Sequence, residues 1–205
     1  PAATANNLIL YVSHSTTFQN SVDWSGKISR MSGPDLATVT DLVVNLPRAA
    51  GDHATNQLRF GPDGALYFSQ GSNTGMGASD AIYQFRQERL LTAAVLRLNV
   101  GAVTSTLDVK TEEGGTYDPF APGAPLTIYA TGVRNAFDLL WHRNGHLYVP
   151  TNGSSSGGST PGTPSPITAP LVPRIDEAVN GPYQGPEVPA LSQVQGSTSD
   201  FLYDI

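Results

Sequence analysis

Leu58-Arg-Phe-Gly-Pro-Asp-Gly-Ala-Leu-Tyr-Phe-Ser69 is the stretch on which the fold reading turns. It reads as a strand, a tight turn and a second strand. Pro62-Asp63-Gly64 supplies the turn, because Gly accepts the positive φ that such turns need. Leu66-Tyr67-Phe68 then supplies residues that favour a half-buried pleat. The pattern returns at Leu139-Leu-Trp-His-Arg-Asn-Gly-His-Leu-Tyr-Val149. Leu58 matches Leu139, Gly64 matches Gly145, and Leu66-Tyr67 matches Leu147-Tyr148, each offset by 81 residues. Leu8-Ile-Leu-Tyr-Val-Ser13 resembles the second strand of both.

Working outward, further strands are predicted at 26–31, 37–46, 94–100 and 126–131, with another beginning at Asp200. The one helical candidate, 84–91, is short and reads equally as an irregular insertion. A propeller blade of four short strands takes ~40–45 residues, so an offset of 81 predicts hairpins two blades apart. Two similar hairpins in a β-sandwich are the competing reading. The expectation is an all-β chain, a single partial β-propeller domain over 1–205 with about three to four blades. Gly71–Asp80 and the Ser/Gly/Pro-rich 152–189 read as long loops or a crossing segment within it.

Composition agrees. Gly (21) and Pro (16) are abundant in 205 residues, charged residues are 14 %, and hydrophobic residues are 39 %. That mix suits short strands and turns, and it is too apolar for a disordered chain. The net charge is −6 with no basic run, which argues against nucleic acid as a partner. No apolar run reaches the ~18 residues of a membrane-crossing helix. Cysteine is absent, which excludes disulfides, zinc–thiolate sites and cysteine nucleophiles. Few Lys and many Thr, Asn, Ser and Gly suggest a secreted protein, periplasmic or extracellular.

Of the four histidines, His142 and His146 flank the Asn144-Gly145 turn and read as exposed neighbours of it. His14 ends a strand. His53 lies in the polar loop Gly51-Asp-His-Ala-Thr-Asn56, which leads into the best-defined strand. In a propeller such loops face the central channel, where a neutral imidazole can take a proton. The 81-residue offset sets His53 against Arg134, whose guanidinium suits a carboxylate or quinone oxygen, or pairs with backbone carbonyls. Gly153-Ser-Ser-Ser-Gly157 matches G-x-S-x-G by chance, since it sits on no strand-to-helix elbow. Gly71–Gly77 lacks the Lys-Ser/Thr of a phosphate loop.

Taken together, Asp52-His53, Leu58–Tyr67, Val95–Asn99, Ile128–Asn135, Asn144–Tyr148 and Asn152-Gly153 make the chain similar to the soluble quinoprotein glucose/sorbosone dehydrogenase family over roughly 8–154. The resemblance implies a six-bladed propeller that uses pyrroloquinoline quinone (PQQ) and calcium to oxidise a small sugar. It implies His53 as general base, Arg134 beside the quinone carbonyl, Asn135 at the cofactor, and Gly153 and Ser154 as carbonyl ligands of calcium. Two departures stand out. Ser72 occupies the place of the family's acid near the base, which predicts a less well oriented and less basic His53. The run 153–158 carries no carboxylate. The alternative is a propeller with lost or altered chemistry, serving as a carbohydrate-binding or adhesion module among other domains of a larger extracellular protein.

Overall fold

The computed structural model describes residues 3, 4, 6–16, 19–163 and 185–205. Most of the Pro-rich crossing expected within 152–189 lies outside them. The described chain is all-β, in three sheets. The first sheet holds β1 (Leu8–His14), β2 (Gly26–Gly33), β3 (Thr38–Leu46) and the short parallel β7 (Leu107–Asp108), in that order. The second is built from β4 (Thr55–Phe60), β5 (Leu66–Gln70), β6 (Ala94–Leu98) and β8 (Leu126–Thr131), all antiparallel. The third has β9 (Leu140–Trp141), β10 (Leu147–Thr151) and β11 (Phe201–Asp204). The stretch 84–91 forms turns and irregular chain, not a helix.

Alternation along β5 shows how the sheets stack. Side chains of successive strand residues point to opposite faces. Leu66 and Phe68 join a core with Ile28, Leu42, Val43 and Leu46 of the first sheet. Ala65 and Tyr67 join a second core with Leu139, Leu147 and Val149 of the third. The middle sheet is therefore apolar on both faces and packed between its neighbours. Each fully buried Leu or Phe contributes about 1.5–3 kcal/mol relative to exposure. The edge strands β1, β4 and β9 lie side by side across the three sheets.

The repeat holds bond for bond. Arg59 pairs Tyr67, and Leu140 pairs Tyr148; Phe60 pairs Leu66, and Trp141 pairs Leu147. Gly61 N donates to Ala65 O and His142 N to His146 O, each at 2.9 Å. Gly64 and Gly145 both take positive φ, +77° and +92°. The meaning of the offset differs from expectation, however. The two hairpins begin consecutive sheets, so 81 residues span one sheet, not two. The excess length lies in the connections β5–β6 and β6–β8, which the hairpin spacing alone does not reveal.

Candidate functional site

The loop that carries His53 is folded around a buried guanidinium. Arg48 Nη1 donates to the carbonyls of Ala49 (3.0 Å), Gly51 (2.6 Å) and His53 (2.5 Å), and its Nε donates to Ser15 Oγ at 3.0 Å. Arg86 reaches over from the β5–β6 connection and donates to the carbonyls of Arg48 and Ser21. Burial, reinforced by the like charge of Arg86, lowers the Arg48 pKa from its ordinary value.

His53 does not open onto a solvent-filled channel; it is 1 % exposed. Its Nδ1 lies 2.7 Å from the carbonyl oxygen of Ser72. A carbonyl only accepts, so the neutral ring carries its proton on Nδ1 and offers the Nε2 lone pair. The hydroxyl of Tyr83 sits 2.8 Å from Nε2 and 3.3 Å from Asp52 Oδ1. The two rings lie against each other at 4.6 Å between centroids. Burial, and then the nearby charge of Arg134, push the His53 pKa down to about 4. Burial and the Asp52 carboxylate hold the Tyr83 phenol above its ordinary range.

Ser72 thus corrects part of the expectation built on it. The imidazole is oriented without an acid at that position, because the backbone carbonyl does the work. The carboxylate near Ser72 is Glu88, supplied sixteen residues later. Ser72 Oγ and Thr92 Oγ1 both donate to Glu88, as do Thr74 Oγ1 (2.5 Å) and Asn73 N (3.1 Å). The bond to this carbonyl by itself raises the His53 pKa, but burial and the charge of Arg134 outweigh it and leave the ring neutral.

The amide of Ser72 donates to the carbonyl of Arg134 at 2.7 Å. His53, in the loop before β4, and Arg134, in the β8–β9 connection, therefore meet through one residue rather than standing two blades apart. Arg134 Nε donates to Gly75 O at 2.8 Å and Nη2 to Ser155 Oγ at 2.7 Å. Asn135 is buried; its Nδ2 donates to Asn152 Oδ1 at 2.9 Å and its Oδ1 accepts from Asn56 Nδ2 at 3.3 Å. A Cβ on Gly71 would lie 2.7 Å from His53 Cβ and 2.8 Å from Asn135 Oδ1, so only glycine fits between them.

Gly153 and Ser154 lie on the 153–158 loop beside 198–200, the loop whose Ser155 accepts from Arg134. Gly153 N donates to Asp200 Oδ1 at 3.0 Å and Ser154 N to Thr198 Oγ1 at 2.8 Å. Asp200 brings to this loop the carboxylate its own sequence lacks. Calcium takes six to eight oxygen ligands. Among the described residues no group of three or more His, Asp or Glu side chains is placed to hold a metal ion. Asp200 is the carboxylate bonded to this loop, so the rest of a calcium shell here would come from backbone carbonyls and water. The other histidines are elsewhere: His14 Nε2 meets Ser29 Oγ at 2.7 Å, and His146 Nδ1 meets Asp204 Oδ1 at 2.7 Å on the surface.

Two solved structures resemble this chain. One is the PQQ-bound form of aldose sugar dehydrogenase from Streptomyces coelicolor, at 21 % identity and a TM-score of 0.46, over 90 % of this chain and 49 % of that one. The other is a glucose dehydrogenase, at 15 % identity and a TM-score of 0.45, over 75 % and 41 %. The chain thus spans about half or less of their length. No family model and no curated protein matches it. Among the described residues no helix is long and apolar enough to cross a membrane.

Tyr83, Glu88 and Arg48 are the site residues that the sequence reading missed. Tyr83 and Glu88 sit in aperiodic chain that gives no direction to a side chain. A buried Arg beside Pro47 carries no motif.

Proposed function

We propose that the three sheets form an arc of a secreted β-propeller that oxidises an aldose or related sugar, with His53 as general base and PQQ as oxidant. The observation that carries this reading is the Ser72 peptide, which joins the loop of His53, leading into β4, to Arg134 in the β8–β9 connection. A neutral imidazole and a guanidinium brought together in this way are the base and the positive charge that a sugar–quinone pair requires. PQQ bound here would supply the two-electron acceptor for the hydride leaving the sugar carbon. His53 Nε2 takes the proton from the hydroxyl on that carbon, and Ser72 O holds the ring in the tautomer that can do so. Arg134 lends positive charge to the acceptor side, and Asn135 stiffens the loop behind it.

A second reading is favoured by one observation: His53 Nε2 is covered by Tyr83. On that reading the propeller is catalytically silent and serves as a carbohydrate-binding module. The two part on one experiment. The full-length protein is incubated with PQQ and calcium, aldoses are added, and the cofactor absorbance is followed. Sugar-driven bleaching supports the oxidase reading. Sugar binding without bleaching supports the module, and absence of PQQ binding removes the first reading.

A further inference from the structure

Tyr83 is the one buried side chain between residues 81 and 87; it is 4 % exposed, whereas Ile82 and Phe85 beside it are 44 % and 70 % exposed. Within 81–87 the turn that carries the ring buries no other side chain. The ring lies over Gly51, where a Cβ would come within 3.4 Å of Tyr83 Cε1. Its hydroxyl meets both Nε2 of His53 and Oδ1 of Asp52. A substrate hydroxyl about to lose its proton to His53 would occupy this same place.

The turn is pinned at its two ends, and between them the exposed Gln84 side chain donates to Asn20 Oδ1. Asp80 Oδ1 accepts from Tyr83 N at 3.1 Å, Oδ2 accepts from Gly75 N at 2.6 Å, and Asp80 O accepts from Phe85 N at 2.7 Å. At the far end Arg86 donates to Arg48 O and Ser21 O. Between these anchors Gln84 and Phe85 both take left-handed φ, +56° and +58°, a conformation unfavourable for residues with a side chain. A turn with two such residues and little apolar burial belongs to the least stable parts of a fold, where local opening is easiest.

We propose that Tyr83 is the gate of this site: its hydroxyl stands in for the substrate hydroxyl on His53 Nε2, and the 80–85 turn must swing out before a sugar is bound. The proposal rests on His53 being the base of a sugar-oxidising site, and it makes the resting site a closed one. Opening breaks the Tyr83 bonds to His53 and Asp52 and leaves Arg86 in place as the hinge. Asp80 sets how readily the turn departs.

Carbethoxylation of histidine by diethylpyrocarbonate, mapped by mass spectrometry, reads access to His53 without any need for catalysis. His142, exposed on its turn, is the internal standard. In the unaltered protein His53 is expected to react at least about ten-fold more slowly than His142, because only the open turn reacts. Tyr83→Ala should bring His53 to within a few-fold of His142. Asp80→Asn, which touches neither ring, should raise the His53 rate in a folded protein and so serves if the alanine variant fails to fold. His53 reacting as fast as His142 in the unaltered protein would overturn the gate. So would an unchanged His53 rate in the folded variants. Relief of protection without aldose oxidation by any form would keep the gate and refute the oxidase; oxidation with unchanged protection would do the reverse.

Discussion

His53 and Arg134 share Ser72: its carbonyl oxygen lies 2.7 Å from Nδ1 of His53, and its amide donates to the carbonyl of Arg134 at 2.7 Å. The His53 ring and the Arg134 backbone are thereby tied to one peptide, while the Arg134 guanidinium is held by Gly75 O and Ser155 Oγ. Whatever moves the Ser72 peptide moves that ring and that backbone together.

The first expectation concerns pH. His53 is neutral in the fold, with a pKa of about 4 in place of the ordinary 6.5. As pH falls, the unfolded chain takes up this proton first. Stability tied to the buried neutral ring is therefore complete above pH 6.5 and is lost as pH falls from 6.5 through 4. The full loss is about 3 kcal/mol. Denaturation at pH 7, 5.5 and 4 should show a shallower decline for His53→Gln than for the unaltered protein. Parallel declines would mean that the ring is not held neutral.

Gly71 offers a steric test of the same contact. Its missing Cβ would sit against His53 Cβ and Asn135 Oδ1. Gly71→Ala should cost about 1–3 kcal/mol, the range of overpacking in a tight core. It should also shift the His53 ring resonances. A variant with unchanged stability and unchanged resonances would show that the space beside Gly71 accepts a methyl group.

The repeat yields a paired expectation. Thr55 Oγ1 donates to Gln70 Oε1 at 2.7 Å. Their counterparts 81 residues on are Ala136 and Thr151, and the buried Thr151 Oγ1 has no partner among the described residues. Thr151→Val should therefore be neutral or stabilising, while Thr55→Val should lose about 1–2 kcal/mol by stranding Gln70. Thermal melts of the two variants should move in opposite directions, or only the second should move. Equal losses would break the equivalence of the two hairpins.

Gly153→Ala probes the third sheet. A Cβ there would collide with the carbonyl oxygens of Thr198 and Ser199. Amide exchange should quicken in 201–204, where β11 pairs with β10, and stay unchanged in β4 and β5. Unchanged exchange throughout would mean that residues 198–200 do not pack on Gly153.

The hairpins were legible because the turn glycines and the alternation that follows are local properties. β8 coincides with the predicted 126–131, and β1 with the stretch from Leu8. The length of the repeating unit was not legible, since it depends on which strands pair, and β6 and β8 join β5 after long connections. His53 stood out as a histidine before a strong strand. Its cover did not, because Tyr83 reaches it only through a turn with two left-handed residues. Glu88 was hidden likewise: its link to Ser72 runs through space across an irregular loop.

The most direct measurement is the rate of aldose-driven dye reduction by the full-length protein with PQQ and calcium, compared with His53→Gln. A fall of about 100-fold or more in kcat, with the fold and PQQ binding retained, is the expected result for loss of a general base. Turnover in the variant equal to that of the unaltered protein would contradict the role given to His53.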